Sequence, residues 1–146
     1  MTIPIIVAIL AHDDILRRRV RTWLEGASDI AVVGEAGNKQ EALEELHSWH
    51  PRVLLADLDT LGDSEEVAHL LACFPETRLI VLHGEAEESR VLEALQWGAL
   101  GHLAKGNLQP EEVVKAVRSV ARSEAFLSPT VAGWIVEEVA RRLRAP

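Results

Sequence analysis

Apolar runs that close in charge alternate along this chain with segments whose apolar positions recur every three or four residues. The opening run IIVAIL gives way to Asp13 and Asp14, VLLADLD carries Asp57 near its close, and GHLAKG ends on Lys105 and Gly106. Unbroken apolar runs of this length suit strands covered on both faces. The pattern predicts five, over 3–10, 30–33, 53–56, 79–82 and 100–104. Helical spacing fills the gaps. Asp13 or Asp14 can cap a helix carrying Ile15, Leu16, Val20, Trp23 and Leu24, which Gly26 ends. Asn38 can cap a second with Ala42, Leu43 and Leu46, stopped at His50-Pro51. A helix over 64–74 is closed by Pro75, and one over 87–97 by Gly98. Pro110 opens another, with Val113, Val114, Val117, Val120 and Ala121 on its buried face.

Strand and helix alternating five times imply a parallel sheet with right-handed crossovers. Ligands of such sheets sit outside the carboxyl ends of the strands. Asp57, Lys105 and the Asp13-Asp14 pair all fall there. A carboxylate, an acid able to hold a cation and a lysine make a phosphoryl-accepting site. The tail breaks the rhythm: Ser128-Pro129 opens a further helix to about residue 143, with an apolar stripe of Val131, Trp134, Ile135, Val139 and Leu143. The expected organisation is one domain over 1–127 and an extra or linker helix over 128–146.

Composition narrows the function. A chain of 146 residues, 48% apolar, can bury a core of its own. No run reaches the length of a membrane span. The start MTIPIIVAIL lacks a basic leader, and the lone Cys73 reads as a small core residue, so a cytoplasmic home is expected. The net charge of −8, from 23 acids and 15 bases, argues against binding nucleic acid by this chain alone. The one dense basic patch, Arg17-Arg18-Arg19 with Arg21, reads as a solvated or protein-docking face.

The segments AVVGEAGNKQEAL (31–43), PRVLLADLD (51–59), ETRLIVL (76–82), WGALGHLAKG (97–106) and PEEVVKAVRSVARSEAFLSP (110–129) together carry a likeness. In order and spacing the chain resembles the receiver domains of two-component response regulators, most nearly those of LuxR/NarL-type transcription regulators, over about residues 5–129. The resemblance implies an α/β, flavodoxin-like sheet of strand order 2-1-3-4-5 with five flanking helices, plus the C-terminal extra helix. It implies that Asp57 accepts a phosphoryl group from a sensor histidine kinase, that Lys105 pairs with the phosphoryl oxygens, and that Mg2+ neutralises charge on both reactants. The metal would be held by Asp13, Asp57 and the backbone carbonyl of Asp59, with His12 in place of an acid.

Departures from the family pattern fall on this site. Members usually carry two adjacent acids after the first strand, and here the residues are Ala11-His12-Asp13-Asp14. Either His12-Asp13 replace the pair, which keeps one metal carboxylate, or Ala11-His12 replace it, which removes both. The first is preferred because Asp13 closely follows the strand. The Thr or Ser usual at the end of the fourth strand is His83, the aromatic usual in the fifth is His102, and the Pro usual before Gly62 is Leu61. His83 and His102 thus occupy the switch positions. His12, Asp13 and His83 could instead hold a transition metal such as Zn2+, although no local ligand spacing supports it. Otherwise His83 and His102 are hydrogen-bonded ring fillers, and His47, His50 and His69 ordinary helix residues.

The expected function is a phosphorylation-responsive receiver that switches a protein contact, the N-terminal part of a transcription regulator rather than a turnover enzyme. The alternative is a pseudo-receiver that has lost phosphate chemistry and serves dimerisation or protein binding. A flavin site would need a Gly- and Ser-rich loop where His12-Asp13-Asp14-Ile15 stands. A homodimer is expected, because the faces of Val113, Val117 and Val120 and of Val131, Trp134 and Ile135 offer more apolar area than one domain hides.

Overall fold

A computed structural model describes residues 3–146, with Ser64 described for its backbone only. Met1 and Thr2, the first residues of the stretch read for a leader, lie outside the described residues. Five strands, β1 (Ile5–Leu10), β2 (Ile30–Ala36), β3 (Val53–Asp57), β4 (Arg78–His83) and β5 (Gly101–Ala104), form one parallel sheet of order β2-β1-β3-β4-β5. Helices α1 (Asp14–Glu25), α2 (Lys39–Trp49), α3 (Leu58–Leu61), α4 (Ser64–Cys73), α5 (Glu88–Gln96), α6 (Pro110–Ala121) and α7 (Pro129–Arg144) surround it. The expected topology is therefore the observed one. The single-turn helix α3, capped by Asp57 itself, is additional to the expected set.

Every side chain of β3 is buried, as expected for the central strand of a sheet covered on both faces. Alternation along the strands splits the core in two. Val7, Ile9, Leu55, Ile80 and Leu82 pack with Val20 and Leu24 of α1 and with Val113, Val117 and Val120 of α6. Ala8, Leu10, Leu54, Leu79 and Val81 pack with α2, α4 and α5 and with Val131 of α7. Val113, Val117 and Val120 of α6 are thus consumed inside the fold, which corrects their expected role in self-association. Trp134 and Ile135 are also packed against the core, so the first half of α7 is docked. Beyond it Val136, Val139 and Leu143 are exposed.

Two further expectations fail locally. Cys73 is exposed, because α4 turns Val67 and Leu70 to the core and leaves Cys73 outside with His69, whose Nε2 lies 3.7 Å from Sγ. Strand β2 runs three residues past the expected end. Its register on β1 slips between Val7 and Ala8, so that Val32 and Gly34 face consecutive residues and the intervening Val33 bulges out. Gly34 leaves room for the Trp49 ring at the end of α2: a Cβ there would stand 2.1 Å from its Cε2. The basic patch is half spent on structure, since Arg17 and Arg21 both bond the Glu35 carboxylate on β2.

Gly34→Ala is expected to cost about 1–3 kcal/mol, because the Trp49 ring must shift. Urea unfolding measures it, and Trp49→Leu in the same chain should recover much of the loss.

Candidate functional site

The carboxyl ends of β1, β2 and β3 meet around a cavity of about 420 Å³ lined by His12, Asp13, Gly37, Asn38, Lys39, Asp57, Asp59 and Thr60. Asp57 is the last residue of β3 and is 5% exposed. A carboxylate that deep needs partners, and it has them. Lys105 Nζ donates to both of its oxygens, at 3.0 and 3.1 Å, and the Asp59 amide donates to Oδ1 at 3.1 Å. Lys105 also reaches Asp59 Oδ2 at 3.3 Å. Burial alone would pull the Lys105 pKa down, but the bonds to Asp57 and then Asp59 outweigh it and raise it above the ordinary lysine value.

Arg90 of α5 supplies a second cation that sequence reasoning missed. It donates to Asp59 Oδ1 at 2.9 Å, pairs with Glu87, and reaches the carbonyls of Leu58 at 3.0 Å and Gly62 at 3.2 Å. The bond to Arg90 is the main cause holding the Asp59 carboxyl below its ordinary pKa, with Lys105 adding to it against desolvation. Thr60 was missed as well; its hydroxyl accepts from the His12 amide at 3.0 Å. Neither pairing had a signal in the sequence, because each depends on where α3 meets another element.

The two competing alignments of the acid pair can now be compared. Strand β1 ends at Leu10, and the Ala11 amide still donates to the Ala36 carbonyl at 3.0 Å, with Ala11 fully buried. Asp13 is the N-cap of α1: Oδ1 accepts from the amides of Ile15 at 2.9 Å and Leu16 at 3.1 Å. The two residues that follow the strand are therefore Ala11 and His12. This geometry favours the alignment that removes both acids, against the preference for His12-Asp13, because the unbonded amides of the first turn of α1 claim Asp13 as their cap.

The donor set does not fit a resident Mg2+. That ion wants hard oxygens in near-octahedral array, usually one or two carboxylates with waters. Both oxygens of Asp57 are held by Lys105, and Asp59, expected to offer its backbone carbonyl, has its carboxylate tied to Arg90 and Lys105. Asp13 has only its second oxygen left over from capping, and His12 brings a nitrogen. Among the described residues no group of three or more His, Cys, Asp or Glu side chains could hold a metal, which also removes the Zn2+ idea.

The expected switch positions meet each other at the β4–β5 edge of the sheet. His83 is 6% and His102 7% exposed, and His83 Nε2 stands 3.1 Å from His102 Nδ1. They are hydrogen-bonded ring fillers, tied to each other and not to His12.

The family model of the response regulator receiver domain matches residues 7–118. The chain belongs to that family. The nitrate/nitrite response regulator protein NarL of Escherichia coli K12 is 32% identical over 127 residues, covering 86% of this chain and 58% of its own. The transcriptional regulatory protein YxjL of Bacillus subtilis is 30% identical over 137 residues, 92% of this chain and 62% of its own. The chain thus spans about six-tenths of the length of these relatives. The signal receiver domain of the response regulator NarL from Mycobacterium tuberculosis superposes with a TM-score of 0.75 at 30% identity, over 82% of this chain and 98% of that one. The isolated receiver of RcsB from Salmonella enterica, solved with a phosphomimetic, has a TM-score of 0.78 over 88% of this chain and 96% of that one, and at 23% identity it speaks for the fold alone. This receiver carries Asp57 and Lys105 at the ends of β3 and β5, Ala11 and His12 directly after β1, and His83 at the end of β4.

Lys105→Ala is expected to cost about 2 kcal/mol, because it leaves the Asp57 carboxylate buried without its cation. Adding Asp57→Asn should return part of that loss. Urea unfolding of the two single variants and the double variant gives the coupling, and additive costs would contradict the pairing.

Proposed function

We propose that this domain is a phosphorylation-independent receiver, a protein-contact module of a LuxR/NarL-type transcription regulator. The observation that carries this is the state of Asp57, whose two oxygens are held by Lys105, with Ala11 and His12 rather than acids directly after β1. A carboxylate is a weak nucleophile toward a dianionic phosphoryl group unless a divalent cation screens the two charges. Lys105 and Arg90 supply positive charge, but they spend it on Asp57 and Asp59 themselves. His83 brings no hydroxyl to the end of β4 and is engaged with His102 and with the Gly84 carbonyl. The domain resides on this reading in the cytoplasm, and its output is the surface it offers to other proteins.

The persistence of the Asp57–Lys105 pair favours a second reading, in which Asp57 takes a phosphoryl group from a sensor histidine kinase. That reading requires Mg2+ to bind through Asp13, Asp57 and the Asp59 carbonyl despite His12. Intact-protein mass spectrometry after incubation with acetyl phosphate and Mg2+ separates the two. We expect no adduct. A phosphoryl mass increase that Asp57→Asn abolishes would establish the second reading and end the first.

A homodimer is part of the proposal, through α7 rather than α6. Ala132, Val136, Val139 and Leu143 recur at intervals of four, three and four along the outer side of α7, the spacing of a two-helix seam, and Leu143 is 81% exposed. Small residues, Gly133 and Ala140, flank the row and permit close approach of a like helix. Light scattering over a concentration series is expected to show a mass rising above 16.1 kDa. Replacing Val136, Val139 and Leu143 together by Ser should hold the chain monomeric; a wild-type monomer throughout contradicts the dimer.

A further inference from the structure

The two switch histidines do more than fill space. The chain leaving α6 returns along the outer edge of β5: Phe126 bridges Gly101, and the His102 amide donates to the Phe126 carbonyl at 3.2 Å. Two residues on, the backbone N–H of Ser128 donates to His102 Nε2 at 3.0 Å. Ser128 is the N-cap of α7, its hydroxyl accepting from the Val131 amide at 3.2 Å. One imidazole nitrogen therefore holds the residue from which α7 starts.

The partners fix the protons of both rings. A backbone N–H can only donate, so His102 Nε2 accepts and its proton sits on Nδ1. That proton is directed at His83 Nε2, 3.1 Å away, so the His83 proton sits on Nδ1, where the Gly84 carbonyl accepts it at 2.8 Å. Both rings are neutral and every nitrogen is used. A proton added to His102 Nε2 sets donor against donor at Ser128. A proton added to His83 Nε2 sets donor against donor at His102, and relief by moving the His102 proton to Nε2 again meets the Ser128 N–H. Every route of protonation ends at the anchor of α7.

We propose that His83 and His102 form a proton-operated latch that fastens helix α7 to the sheet when neutral and lets it go when either ring takes up a proton. The rest of the docking is thin: Val131 is buried and Trp134 and Ile135 are partly so, while residues 141–144 are exposed. The charged groups on the surrounding elements do not offset a proton here. Asp57 on β3 and Asp59 on α3 bond Lys105, which follows β5; Glu87 bonds Arg90 on α5; and Glu138 on α7 bonds Arg141 and Arg142. Glu85 and Glu88 by the start of α5, and Glu93 and Glu137 along the α5–α7 cleft, make no bond to either ring among the described residues. Burial first, and then the neighbouring His83, push the His102 pKa down from 6.5 to about 4. The sign follows. A depressed histidine pKa means that the released state binds the proton better, so docking is complete above about 6.5 and is lost as pH falls toward about 4.

Hydrogen exchange of the whole chain, corrected for the intrinsic pH dependence, tests the latch. Between about pH 6.5 and about pH 4.5, protection of the α7 amides should fall by up to about tenfold per pH unit while β1 and β3 hold theirs. His83→Gln with His102→Gln keeps the acceptor for Ser128 and leaves nothing in the pair to titrate, and should make α7 protection independent of pH. His102→Leu removes the acceptor and should loosen α7 at every pH. Unchanged α7 protection in the wild type across this range would overturn the latch, and so would a pH dependence that the double glutamine variant leaves intact.

Discussion

A carboxylate sealed at the end of the central strand has to be compensated where it stands, and much of the site's arrangement follows from how Asp57 is compensated. Lys105 is the partner at hand because β5 lies one strand beyond β4 and ends at the same level. Once Lys105 bonds both Asp57 oxygens, Asp59 is drawn in through its own bond to the same ammonium, and Arg90 closes the group from α5. The result is a pair of carboxylates, Asp57 and Asp59, each bonded to a cation of the fold. Family members that keep two more acids would leave that site short of positive charge until a metal arrives. Here Ala11 contributes no charge and His12 no carboxylate, and the proposed function rests on that reduced demand for a metal.

The same edge of the sheet ties the site to the C-terminal helix. β4 ends in His83 and β5 carries His102, and these neighbouring strands bring the two rings together on the face that α7 covers. Where family members usually carry a hydroxyl and an aromatic, this chain has two imidazoles bonded in series. The series begins at the Gly84 carbonyl, one residue past β4, and ends at the cap of α7. Changes at this edge therefore have a covalently short and hydrogen-bonded path to α7, the element with the largest exposed apolar row.

Much of the fold was legible because strand and helix periods differ and each apolar run is bounded by a cap, a Gly or a Pro. Asn38, Pro75, Pro110 and Ser128-Pro129 mark the boundaries where the structure places them, within a residue or two. What failed had tertiary causes. The apolar run understates β2 because Gly34 and Glu35 interrupt it, whereas Gly34 serves the Trp49 ring and Glu35 serves two arginines. The α6 face was counted as spare because a second sheet face has to be covered, and no local pattern shows which helix covers it. Asp57 and Lys105 were readable as partners from their matching strand ends. Arg90, Thr60 and the Ser128–His102 bond were not, since each joins elements distant in sequence.

The central claim is that the fold's own cations replace the metal at Asp57, and binding of Mg2+ tests it most directly. In a Mg2+ titration followed by the amide resonances of His12, Asp57, Asp59 and Lys105, the account predicts no saturable shift at millimolar ion, and a saturable one in His12→Asp with Ala11→Asp. Saturable shifts confined to these four residues in the unmodified chain would contradict it.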